Sequence, residues 1–152
     1  MFCVGVIKWW VSANTCSMKN RFFICGLTGW CMEIIFTSLG SLMHQDYKLK
    51  GGTSIWMFPI YGMAALIYPV YHLIKAFPLF IRGIIYAIGF FFFEYISGCL
   101  LKKRNMCPWD YSDAKANIKG VIRLDYAPVW MCAGLIYEFI LIPKAHLIDK
   151  KM

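Results

Sequence analysis

No Cys-x-x-Cys pair, no His-x-Glu or His-Glu-x-x-His pair, no serine nucleophile elbow and no Gly-x-x-x-x-Gly-Lys-Ser/Thr loop occurs in this sequence. These absences exclude the usual zinc-ligand spacings, a hydrolase elbow and a phosphate-cradling loop, so the chain carries no ATP-hydrolysing unit of its own. Charge is also scarce. Only 16 % of the residues are Asp, Glu, Lys or Arg, against about 25 % in soluble domains. What replaces charge is apolar surface, at 60 % hydrophobic and 18 % aromatic, with a mean hydropathy of +0.57. A single soluble core of this size cannot hide that much, and the excess calls for lipid. The 7 cysteines are odd in number, and Cys25, Cys31, Cys99 and Cys132 fall inside apolar stretches. They read as small buried hydrophobes rather than a disulfide framework.

The net charge of +8 does not point to nucleic acid, because the basic residues lie between apolar segments and not on one face. They flank four expected membrane spans, over residues 22–43, 53–74, 79–101 and 126–142, each long enough for a hydrocarbon core of about 30 Å. Residues 1–21 read as an interfacial segment anchored by Trp9 and Trp10, and 143–152 as a basic tail. Pro78 and Arg82 are expected to mark a short turn before the third span, and the stretch from Asn105 to Asp125 is too polar to cross. The expected fold is all-α, a four-helix transmembrane bundle with an interfacial loop between the third and fourth spans. Lys and Arg divide 8 and 8 between the two sides, so the positive-inside rule does not set an orientation.

The sequence has 3 glutamates, Glu33, Glu94 and Glu138, and all of them sit inside these spans. Lysine and arginine are expected to be absent from those stretches. A carboxylate there costs a few kcal/mol to insert, which is why such groups face a protein interior or a hydrated path. Each has a glycine one helical turn away: Gly29 before Glu33, Gly98 after Glu94 and Gly134 before Glu138. Small residues let backbones approach in lipid, so the glutamate faces are expected to be packed faces, extended by Trp30 and Trp130. Tyr61, Tyr68 and His72 form a polar stripe on the second span that could meet them. The expected depths are staggered: Glu33 near the middle, Glu94 toward Lys102–Arg104, and Glu138 toward the terminal side within reach of His72, Lys75 and Arg82. A staggered ladder suits an ion or proton path, whereas a metal centre needs convergent ligands; no metal or cofactor is expected.

Cys107-Pro108-Trp109-Asp110-Tyr111-Ser112 is the most distinctive block outside the spans. Pro108 stiffens a turn, Asp110 or Ser112 could cap a following short helix, and Trp109 and Tyr111 suit the headgroup layer. Phe90–Phe93 reads as lipid-facing packing, and His44 and His72 as interfacial side chains.

The ordered set Gly29-Trp30-x-x-Glu33, Phe93-Glu94-x-x-x-Gly98, Cys107 to Ser112, Gly120-x-Ile122-x-Leu124 and Trp130-x-x-x-Gly134-x-x-x-Glu138 resembles one family across nearly the whole chain. It is similar to the membrane proteins described as "putative ABC-transporter type IV", or CmpB-like permeases, and to the animal transmembrane protein 229 group. The resemblance implies a permease whose ATPase is a separate chain, with Asp110 to Arg123 as the element that would meet it. The resulting expectation is a small transporter or transporter-associated subunit in the lipid bilayer, multi-pass, in the cell membrane if bacterial, and a homo-oligomer. Two other readings stand beside it. One is a lipid-binding protein or enzyme using the Cys107–Ser112 loop with Glu94 nearby. The other is a structural assembly partner whose glutamates hold helices together.

Overall fold

A computed structural model describes residues 17–43 and 45–142. Most of the expected segment 1–21, together with His44 and the tail 143–152, lies outside the described residues. Helix α1 spans Met18–Met43, about 39 Å at 1.5 Å per residue. It holds no proline, and its Thr37, Ser38 and Ser41 hydroxyls bond back to the carbonyls of Glu33, Ile34 and Thr37 at 2.8, 2.7 and 3.3 Å. Two of those hydroxyls also reach the returning chain, Thr37 at Gly52 and Ser41 at Lys50. The connection to the second span is thereby tied down along α1.

The second span is not one regular helix. It runs as α2 (Met57–Gly62), a 3-10 turn (Met63–Leu66) and α3 (Ile67–Ile74). Pro69 has no N–H for the Ala65 carbonyl, and its ring crowds the preceding turn, so the helix tightens just before it. Helix α4 spans Leu79–Lys102 behind an extended Pro78. A two-stranded antiparallel ladder, β1 (Asn117–Ile118) with β2 (Ile122–Arg123), precedes a 3-10 turn at Leu124–Tyr126 and α5 (Ala127–Leu141). Pro128 sits in the first turn of α5, where no hydrogen bond is lost.

Four helical stretches, Met18–Leu42, Met57–Ile74, Leu79–Lys102 and Leu124–Leu141, are long and apolar enough to cross a membrane. Their outer faces carry large exposed hydrophobic side chains: Leu73 is 81 % exposed and Phe80 68 %. Such surface would aggregate in water and is at home in lipid.

Helix α1 packs on α2, and α4 packs on α5, giving two hairpins side by side. Between them lies a core of Cys25, Ala64, Ala65, Ile67, Tyr86, Phe90, Tyr137 and Leu141. The buried Tyr137 hydroxyl donates to the Cys25 carbonyl at 3.2 Å, linking the hairpins. Phe90 stacks on Trp130 at 4.9 Å, while Phe92 faces outward, so the Phe90–Phe93 run is not uniformly lipid-facing.

The glycines beside the glutamates are contact points. A Cβ on Gly29 would strike Tyr61, one on Gly134 would strike Tyr86, and one on Gly98 would meet Val121 and Trp109 of the loop. Replacing Gly134 with Val is therefore expected to overpack the α4–α5 contact and cost about 1–3 kcal/mol. A thermal unfolding curve in detergent, compared with wild type, measures it; an unshifted midpoint would contradict the packing.

Candidate functional site

Arg82 does not end a turn. It lies in the first turn of α4, because the helix starts at Leu79 directly after Pro78. From there its Nε and Nη2 donate to Glu138 Oε2 and Oε1 at 3.0 and 2.8 Å, and the Tyr86 hydroxyl donates to Oε2 at 2.7 Å. The expectation that no cation shares a span with a glutamate is overturned here. Glu138 has a bidentate partner on the neighbouring helix, the strong form of a charge-assisted hydrogen bond. Arg82 Nη1 is itself held by the Phe77 carbonyl at 3.0 Å.

Glu33 and Glu94 lie elsewhere. Both line a cavity of about 750 Å³ between the two hairpins, at the end where the 45–56 and 103–123 connections lie. That volume falls within the range of small-molecule sites. Glu33 is half-buried and accepts a 2.5 Å hydrogen bond from the Thr53 hydroxyl of the α1–α2 connection. Glu94 is only 6 % exposed. Its Oε2 is buried without a hydrogen-bond partner, and so is Nε1 of Trp130. The Trp130 indole and the Tyr111 hydroxyl face the Glu94 carboxyl without reaching full hydrogen-bond geometry. An ionisable group buried with one oxygen short of a full hydrogen bond is costly.

The expected ladder of three carboxylates is thus divided: Glu33 and Glu94 share a cavity, and Glu138 is tied to Arg82 in the other half of the bundle. Of the polar stripe on the second span, Tyr61 lines the cavity. Tyr68 and His72 do not join it. The Arg21 guanidinium lies over the Tyr68 ring at 3.5 Å, and the Tyr68 and His72 rings meet edge-on at 5.0 Å. Trp30 bonds the Ser54 carbonyl at 3.0 Å from outside the cavity wall.

The Cys107–Ser112 block forms the cavity's roof. Pro108, Trp109 and Tyr111 line it. Burial, and after it the Glu94 carboxylate, pushes the Tyr111 phenol above its usual range, so it remains a neutral hydroxyl. Trp109 is fixed by donation to the Val121 carbonyl at 3.0 Å, and the Tyr111 N–H donates to the Gly120 carbonyl at 2.9 Å. No short helix follows for Asp110 or Ser112 to cap. Asp110 instead closes an Asx turn, accepting from the Ser112 N–H at 3.0 Å and hydroxyl at 2.6 Å, and from Lys102 at 3.2 Å. Gly120 crowds the same group at φ +66, a left-handed conformation suited to glycine. Cys107 is engaged with the Trp109 carbonyl at 3.2 Å, an arrangement that offers no general base for thiol chemistry.

The Ser112 and Lys102 contacts hold the Asp110 carboxyl below its ordinary range. A depressed folded-state pKa supplies stability that is present above the unfolded value and is lost as the pH falls through the folded one. The Asp110 turn is therefore expected to persist at neutral pH and to loosen only in strong acid. The Asp110→Ala protein should be cut in this loop at neutral pH, and equal resistance of the two proteins would contradict the turn's role.

Of the three cations expected within reach of Glu138, it is Arg82 that meets it. Thr53, Ser54, Tyr126 and Tyr86 are site residues that the sequence did not single out. Tyr86 had a signal, lying four residues after Arg82 on one face of a helix that begins at a proline. Thr53 and Ser54 had none, since their contacts depend on how the connection folds back along α1. Among the described residues, no three His, Cys, Asp or Glu side chains are grouped to hold a metal ion. No solved structure matches the chain. Residues 20–151 match the family model described as "Putative ABC-transporter type IV", a range that takes in all but the first two residues of the four helical spans, both carboxylate sites and the roof. The chain belongs to that family of ABC-transporter-type membrane proteins.

Proposed function

We propose that this protein is the multi-pass, membrane-embedded permease subunit of a transporter, and that the cavity holding Glu33 and Glu94 is its solute site. The observation that carries the reading is the buried Glu94 carboxyl, with one oxygen unpartnered, opening on a cavity of solute size. Intramembrane carboxylates of this kind mark substrate or ion pathways. Glu138 belongs to the scaffold, because Arg82 and Tyr86 occupy both of its oxygens.

A separate ATPase chain is the energy source, and it docks on the connection between α4 and α5. The outer residues of that connection, including Asp113, Lys115 and Lys119, are exposed, while its Trp109 and Tyr111 roof the cavity. One rigid loop thus joins a docking surface to the solute site. The subunit works as an oligomer, and if its host is bacterial the membrane is the cell membrane. Uptake of a cation panel into proteoliposomes tests the reading: the Glu33→Gln/Glu94→Gln protein is expected to lose at least one cation's uptake by tenfold or more. Unchanged uptake of every transported cation would overturn it.

A further inference from the structure

The two cavity carboxylates have no basic counterpart there: among the residues lining it, none is Lys, Arg or His. Aromatic side chains make up much of the wall, with Phe36, Tyr61, Trp109, Tyr111, Tyr126 and Trp130. A carboxylate among aromatic faces is a setting for an organic cation, since ring quadrupoles attract an ammonium group and the carboxylate neutralises it. Inorganic cations fit less well, because they need several oxygen ligands at short range and most of this lining is hydrocarbon. The unpartnered Glu94 Oε2 adds a second requirement. The occupant must donate a hydrogen bond there, which a protonated primary amine does and a quaternary ammonium does not.

The side of the cavity between α1 and α5 is formed by Ile35, Leu39, Val129 and Ile136. These four side chains are exposed on the apolar outer surface of the helices. The polar end of the cavity, with Glu33, Thr53 and Ser54, is thereby continuous with a lipid-facing hydrocarbon flank. That arrangement matches a molecule with a charged head and an apolar tail entering sideways from the bilayer.

We infer that the cavity binds a primary-amine amphiphile, its ammonium group on Glu94 and Glu33 within the aromatic walls and its alkyl chain lying against Ile35, Leu39 and Ile136. This rests on the cavity being the solute site, but its test does not require transport. The protein in nanodiscs of zwitterionic lipid is titrated with dodecylamine, dodecyltrimethylammonium, dodecyl sulfate and methylamine, following tryptophan fluorescence, because Trp109 and Trp130 line the cavity.

Saturable quenching by dodecylamine is expected, with the trimethyl compound about tenfold weaker for want of the hydrogen bond. Dodecyl sulfate should give no saturable signal. Methylamine, the free amine without a tail, should bind at least tenfold more weakly than dodecylamine. Glu94→Gln and Glu33→Gln are expected to weaken dodecylamine binding tenfold or more. Equal response to the cationic and anionic amphiphiles, methylamine as strong as dodecylamine, or no saturable amine binding would each overturn the inference, and these comparisons on wild type need no variant to fold. If dodecylamine binds but no cation is transported, the transport reading fails and the ligand assignment stands. If other cations are taken up in a glutamate-dependent way and no amine binds, the ligand assignment fails and the transport reading stands.

Discussion

Replacing Arg82 with Met is expected to destabilise the protein by about 1.5–3 kcal/mol, the contribution of hydrogen bonds to a charged group that Glu138 would lose in a partly buried setting. Glu138 would keep only the Tyr86 hydroxyl as a hydrogen-bond partner. Changing both residues, Arg82→Met with Glu138→Leu, removes the orphan along with the pair and should recover most of the loss. Glu138→Gln should fall between, since the amide oxygen still accepts from Arg82 or Tyr86 while the ionic component is gone. Unfolding in a denaturing detergent series measures all three. Additive losses in the double variant would show that the two residues act independently, contrary to the bidentate geometry.

The second large effect is on uptake. In the Glu33→Gln/Glu94→Gln protein both cavity charges are removed, while Gln keeps the size and hydrogen-bonding capacity of Glu. Hydrogen bonds to a charged group contribute about 1.5–3 kcal/mol, and each 1.4 kcal/mol is a factor of about ten. Loss of uptake by ten- to a hundredfold is therefore expected, with thermal stability near that of wild type because neither carboxylate is held by a cation. A structural role for these glutamates predicts the reverse: uptake preserved by Gln, and stability lowered by Ala.

The sequence showed most clearly what lipid enforces. A helix crossing hydrocarbon must be long and apolar, and that alone reveals four such stretches among the described residues. The glycines one turn from the glutamates were likewise legible, because close approach in lipid selects small residues on contact faces. The pairing of particular side chains across helices was legible only in part. Arg82 stood beside His72 and Lys75 as a cation within reach of Glu138, and the relative rotation and depth of α4 and α5 decide that it is Arg82 that makes the contact, over 56 positions of sequence. The contact of Thr53 with Glu33 was not legible, since it depends on the connection folding back along α1. The break in the second span was written in Pro69, yet an apolar count runs through a proline unchanged. The Cys107–Ser112 block stood out as a motif, while its role as a roof needed Val121 and Gly120 beneath it.

The central claim is that the three intramembrane glutamates do two different jobs. Labelling with dicyclohexylcarbodiimide in proteoliposomes, mapped by peptide mass spectrometry, tests it most directly, because this apolar reagent takes both the proton and an oxygen of a carboxylic acid, and so needs a carboxyl that is free to carry a proton and within reach from lipid. Adducts are predicted on Glu94 and Glu33 and none on Glu138, both of whose oxygens are taken by Arg82 and Tyr86. An adduct on Glu138, with Glu33 and Glu94 unmodified, would contradict it.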